Sequence, residues 1–163
     1  MKIAEFKYED NGVQLSIQIS GELSSLTSFP RVIVKANHQI SVVLAGAGNV
    51  NSAGLQGWIK WMTEMQTNNK NVSINFKMLP ANFARLAHQV RGFLPDSSTV
   101  ESFIAPYFCE DCDNNYNVVF TKGLNWNSSW NAEQMTKEIS HAPCPECKTL
   151  CQIDAAPEIY LKL

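Results

Sequence analysis

Along the chain, apolar and polar positions first alternate, then run together, then recur at helical spacing. Residues 2–8 and 13–20 flank the turn signal Asp10-Asn11-Gly12. In the second run Val13, Leu15, Ile17 and Ile19 alternate with Gln14, Ser16, Gln18 and Ser20, as in a strand with one buried face. The two runs predict a hairpin. Residues 24–35 are mixed, and their start reads as helical before Pro30. Residues 40–44 are almost wholly apolar, the signature of a strand covered on both faces. The Gly- and Ala-rich residues 45–54 read as a loop that feeds a helix over 53–67. That helix carries Leu55, Trp58, Ile59, Met62 and Met65 on one arc, with Lys60, Thr63 and Glu64 opposite. A further strand is predicted at 72–76. Pro80 suits the first turn of a second helix, whose stripe is Phe83, Leu86, Ala87 and Val90, and Gly92 closes it. A hairpin followed by strand, helix, strand, helix implies an α/β domain with a mixed sheet.

Residues 95–98 (Pro-Asp-Ser-Ser) read as a linker, and 100–108 as an extended run into a first cysteine pair. Residues 118–121 can return antiparallel to it. An excursion over 124–140 has Trp126 and Trp130 to bury and a short helix at 132–139, and residues 149–153 and 159–163 close the chain. This order divides the chain into an α/β domain at 1–105 and a small ribbon at 106–163. The ribbon has too little apolar material to fold alone, so a metal would contribute most of its stability.

The candidate metal ligands are Cys109, Cys112, Cys144 and Cys147, two C-x-x-C pairs separated by residues 113–143. Each such turn can aim two thiolates at one ion, and two turns complete a tetrahedron of sulfur around Zn²⁺. A structural zinc ion is the preferred reading. A redox dithiol needs only one pair, and the acidic neighbours Glu110, Asp111, Asp113 and Glu146 would raise the thiol pKa values. Iron–sulfur signatures crowd three cysteines into one short run. Two disulfides would require export, yet residues 1–10 carry Lys2, Glu5, Lys7 and Glu9 in place of a secretory signal, so a reducing cytoplasm is expected. Cys151 reads as a buried inert thiol and His141 as an ordinary loop histidine.

With 163 residues, 45% hydrophobic and 17% charged, the chain can bury a real core. No apolar stretch approaches the length of a membrane span. The net charge of −2, with scattered cations and acidic knuckles, argues against a nucleic-acid partner.

Asn51-Ser52-Ala53-Gly54-Leu55 stands where the loop meets a helix start. On local chemistry Asn or Ser there is a helix cap, and this is the favoured reading. A phosphate on such a hydroxyl would also be tolerated at the positive helix end, while placing about two negative charges on any surface docked there. Together with Ile19-Ser20-Gly21-Glu22-Leu23 and Val42-Val43-Leu44, this segment resembles the STAS domain of bacterial anti-sigma factor antagonists over roughly residues 1–105. The family reads Asp-Ser-x-Gly-Leu there, with Asn51 here in place of the Asp, and the match puts Ser52 at the phospho-acceptor position. The tail, with Pro106-Tyr107-Phe108-Cys109 and Pro157-Glu158-Ile159-Tyr160, also looks like a ribbon attached to STAS-like proteins in some bacteria.

The resemblance implies a non-catalytic signalling protein. It would dock an anti-sigma factor or serine kinase-like partner through Asn51, Ser52, Gly54 and, at the edge of the apolar arc, Trp61. The alternative is a scaffold or small-ligand-sensing module that docks through the ribbon and is not phosphorylated. An enzyme is the contrasting class. His38, His88 and His141 are the only histidines, none lies in a nucleophile or metalloprotease motif, and His88 reads as solvated.

Overall fold

The computed structural model describes residues 2–35, 38–161 and 163. Its first unit is a five-stranded mixed sheet in the order β1-β2-β3-β4-β5. Strands β1 (Glu5–Asp10) and β2 (Gln14–Leu23) form the expected antiparallel hairpin, with Asp10 paired to Leu15. The turn is held by Asn11 Oδ1, which accepts from the backbone N–H groups of Val13 and Gln14. Strands β3 (Gln39–Val50), β4 (Ile74–Lys77) and β5 (Ser98–Val100) then add in parallel. Helices α1 (Ser52–Asn68) and α2 (Ala81–Gln89) join them.

The alternation read in β2 becomes burial of Ile17 and Ile19, which join Ile40, Val42, Leu44, Ile74 and Phe76 from its neighbours. Trp58 of α1 packs on Phe76 of β4 and, edge to face, on Phe83 of α2, so both helices cover the side of the sheet that carries Phe76. Its indole N–H donates to Phe93 O at 2.7 Å, which satisfies the one polar atom that this burial removes from water.

Three local expectations are corrected. Residues 45–50 are the second half of β3, not a loop: Ser20 pairs with Gly46, Gly21 with Ala47 and Leu23 with Val50. A Cβ on Gly46 would stand 2.9 Å from Ser20 Cβ, so here glycine permits the close pairing that its low strand propensity argues against. Residues 24–35 contain no helix. They are extended beyond a turn in which Thr27 N–H donates to Ser24 O, and Asn69 ties them to α1 by accepting from Val34 N–H and donating to Val32 O. Finally, Ser98 belongs to β5, so the segment expected as a linker runs into the sheet.

The second unit is built from two hairpins. Strands β6 (Ser102–Cys109) and β7 (Asn114–Thr121) pair through the first cysteine turn. Strands β8 (His141–Pro143) and β9 (Leu150–Gln152) pair through the second. Helix α3 (Ala132–Ile139) lies between them and opens on a capping box of Asn131 and Gln134. Within the closing segment 159–163, a 3₁₀ turn at Pro157–Tyr160 covers the first residues, and Lys162 lies outside the described residues.

The two units share one core. Phe103 stacks on Phe120 and on Tyr160 with ring centroids 5.1 and 4.6 Å apart, and Trp126 meets it edge-on. Leu79, just after β4, bridges Phe103, so β6 continues directly from the sheet. Met135, Ile139, Ile159 and Tyr160 belong to the same apolar cluster as Trp58 and Phe83. The tail therefore has more to bury than its own residues alone provide.

Candidate metal centre

Each cysteine turn is a strand end followed by a tight reversal. Strand β6 delivers Cys109, fully buried, and the chain reverses over Glu110–Asp113 before β7. Beyond β8, Cys144 N–H donates to Thr149 O at 2.9 Å and Cys144 O accepts from Lys148 N–H at 3.1 Å. The residue after the second cysteine is left-handed in both turns: Asp113 has φ 49° and Lys148 φ 67°. That conformation is disfavoured for a residue with a Cβ, yet it recurs at the matched position of both turns.

The result is a cluster in which the Sγ atoms of Cys109, Cys112, Cys144 and Cys147 all lie within 4.8 Å of one another. Cys109 and Cys147 approach to 3.5 Å, Cys112 and Cys144 to 3.5 Å, and Cys112 and Cys147 to 3.8 Å. A tetrahedron with metal–sulfur bonds of about 2.3 Å has edges of about 3.8 Å. A disulfide would bring two sulfurs to about 2.05 Å, and all five cysteines are free thiols. At this spacing the four sulfurs could hold one metal ion.

Two clips hold the turns together. Thr149 Oγ1, beyond the second pair, donates to Asp111 Oδ2 in the first turn at 2.6 Å. Tyr116 of β7 donates its hydroxyl to Ala142 O of β8 at 2.8 Å. Neither clip was legible in the sequence. The only available signal was that both cysteine turns continue with polar residues able to reach across.

The cluster is electrostatically uneven. Cys112 is pushed up, first by its hydrogen bond to Cys109 and then by that to Cys144, because neighbouring sulfurs favour its protonated form. Cys147 is lowered to about 6 by hydrogen bonds from the Thr149 side chain and then its backbone. The Thr149 hydroxyl has one proton to give, and the Asp111 carboxylate is the stronger acceptor, so the backbone N–H is the donor that remains with the sulfur. Cys147 thus favours the thiolate and Cys112 opposes it. A divalent ion at the centre would reverse that opposition at Cys112.

Cys151 is buried beside Cys109 and Cys144 but stands outside the ligand group, and it donates to Thr149 O at 3.3 Å. His141 is exposed on β8 and is no part of the group. His88, expected to be solvated, is half-buried.

The second expected site lies on α1. Asn51 is the cap, its side chain accepting from Gly54 N–H at 2.8 Å. Ser52 is the first helical residue and is exposed. Trp61 is not a surface residue: it is 3% exposed, packs between Phe6 and Trp58, and donates its indole N–H to Pro30 O. Gly54 is also buried. A Cβ there would fall 2.1 Å from Leu23 O, so this glycine serves the contact between α1 and β2, not a docking face.

The chain is therefore an α/β protein with, among the described residues, a mixed sheet, three α-helices and a four-cysteine cluster able to hold a metal ion. Comparison with protein-family models, with curated proteins and with solved structures finds no match. No helix among the described residues is long and apolar enough to cross a membrane.

Proposed function

We propose that this is a non-catalytic bacterial signalling protein of the cytoplasm, whose tail is pinned by a structural Zn²⁺ on Cys109, Cys112, Cys144 and Cys147. The surface around Ser52 docks a regulatory protein of the anti-sigma factor or serine kinase kind, and phosphorylation of Ser52 breaks that contact. Zinc suits four thiolates at tetrahedral spacing in a reducing compartment. Sulfur fills every position, which leaves none for a reactive water. The observation that carries the docking reading is the division of labour at the start of α1. Asn51 does the capping, so the exposed Ser52 hydroxyl, which has no hydrogen-bond partner among the described residues, is free to be modified. A phosphate there meets the positive end of α1 in its own chain but repels an acidic or apolar partner surface. The STAS-like sequence around Ser52 supports the same assignment.

The second reading, docking through the tail without phosphorylation, is favoured by Leu124 and Leu150, 83% and 65% exposed on the ribbon. Phosphosite mapping of natively expressed protein, with affinity capture by the wild type, Ser52→Asp and a Leu124→Ser/Leu150→Ser double variant, separates the two. Phosphate at Ser52 and loss of the captured partner in Ser52→Asp alone support the first reading. Undiminished capture by Ser52→Asp, with loss in the leucine variant, selects the second.

A further inference from the structure

The four sulfurs of the centre are not equivalent. Cys109 and Cys144 are fully buried, whereas Cys112 and Cys147 are exposed. Each turn hides its first cysteine and shows its second to solvent. Three sulfur–sulfur approaches of 3.8 Å or less run from one turn to the other: Cys109–Cys147, Cys112–Cys144 and Cys112–Cys147. The exposed sulfurs are thus open to a small oxidant, and each has a facing sulfur on the opposite turn within 3.8 Å.

We propose that Cys112 and Cys147 form a modification site for hydrogen peroxide, and that its product is a disulfide between the two cysteine turns. The consequence for the bound ion rests on the zinc reading above; the site itself rests on exposure and sulfur spacing. An exposed thiolate, at Cys147 for instance, attacks one peroxide oxygen. The O–O bond breaks, and the departing hydroxide takes a proton to become water. The sulfenic acid so formed is attacked by the facing sulfur of the other turn. The S–S bond forms, the S–O bond breaks, and a second hydroxide leaves as water after taking a proton. Two thiolates lose two electrons, one peroxide gains them, and two protons are consumed.

The facing sulfurs need to close by only about 1.5 Å to reach disulfide length. With two sulfurs joined, two remain to hold the ion, which is too few for a stable structural site. The new bond also keeps the turns together when the ion is gone. A C-x-x-C pair acting as a redox dithiol would instead close within one turn, as such motifs do in disulfide oxidoreductases. Here each exposed sulfur has a crossing partner within 3.8 Å, which supplies the geometry for the crossing bond.

Trypsin distinguishes these outcomes. Cleavage after Arg91, Lys122, Lys137 and Lys148 puts Cys109 and Cys112 on peptide 92–122, Cys144 and Cys147 on 138–148, and Cys151 on the peptide that starts at Thr149. The intact chain, its zinc measured by elemental analysis, is titrated with hydrogen peroxide in the presence of a chromogenic zinc chelator, then digested without reduction. The expected result is loss of the bound zinc in step with a cross-linked species of 92–122 and 138–148. Dithiothreitol with added zinc reverses it. Disulfides confined to one peptide, cross-links through the Cys151 peptide, sulfinic or sulfonic acids alone, or untouched thiols at peroxide levels that oxidise glutathione would each overturn the proposal. If the purified chain carries no zinc, the metal reading fails by itself. The cross-link between the two peptides still decides the thiol site in that metal-free chain.

Discussion

At Gly54 a missing side chain sets how closely α1 lies against β2. The Cβ of an alanine there would meet Leu23 O at 2.1 Å, and backbone cannot step aside as a side chain can. Gly54→Ala should therefore destabilise the fold by about 3 kcal/mol, seen as a lower denaturant midpoint. An unchanged midpoint would mean that the helix can lift at little cost. Lys148 presents the opposite case, a side chain where the backbone is left-handed at φ 67°. Lys148→Gly should relieve that conformation and stabilise the second turn by about 1 kcal/mol, despite losing the exposed bond from Lys148 Nζ to Pro145 O. The measurement is resistance of the bound metal to a competing chelator, and weaker retention would refute the account. Both residues were visible in the sequence, but their roles were not. Gly54 stood within a motif that pointed to docking, and nothing in a lysine announces positive φ.

Elements were legible where periodicity and end signals agreed. The β1–β2 hairpin, α1, α2 and α3 form where alternation, apolar stripes and caps place them. The far half of β3 was not legible, because Ala45, Gly46, Ala47 and Gly48 lack the side chains that mark a strand; their pairing comes from β2 alongside. In the same way, Trp61 sits at the edge of the helical arc in sequence but is enclosed by Phe6 and Phe29, residues far from it in the chain. The contact between β6 and α3 yields a pH prediction. Tyr107 of β6 is buried, stacks on Tyr116 and donates its hydroxyl to Ile139 O at the end of α3. Burial raises its phenol from 10.0 to about 12. The unfolded chain thus loses this proton before the folded one. The contribution is whole below pH 10 and is lost as pH rises through about 12. Thermal melts should fall from pH 10 upward, and Tyr107→Phe should flatten part of that fall. An identical slope in the variant would remove Tyr107 as its cause.

For the whole molecule the question is how far the metal centre reaches. The tail's aromatics share a cluster with the sheet body through Phe103 and Tyr160, while the cysteine turns stand at the far end of the β6–β7 hairpin from Phe103. Removing the proposed zinc ion with a chelator should therefore release amide protection in the two cysteine turns and β8–β9, and leave β3, β4 and Phe103 protected in hydrogen exchange. Loss of protection throughout the sheet would show that the ion supports the whole fold. Cys109→Ser should lose the metal and Cys151→Ser should keep it, by elemental analysis.

By itself the sequence determined the β1–β2 hairpin, the three helices, the α/β order and the pairing of cysteines in two C-x-x-C turns, because hydrophobic period, caps and C-x-x-C spacing act over a few residues. Tertiary structure alone decided that Gly46 lies in a strand, that Trp61 is core, and which sulfurs face water. Each of these depends on atoms that arrive from distant parts of the chain, and no local pattern records what will be packed against it.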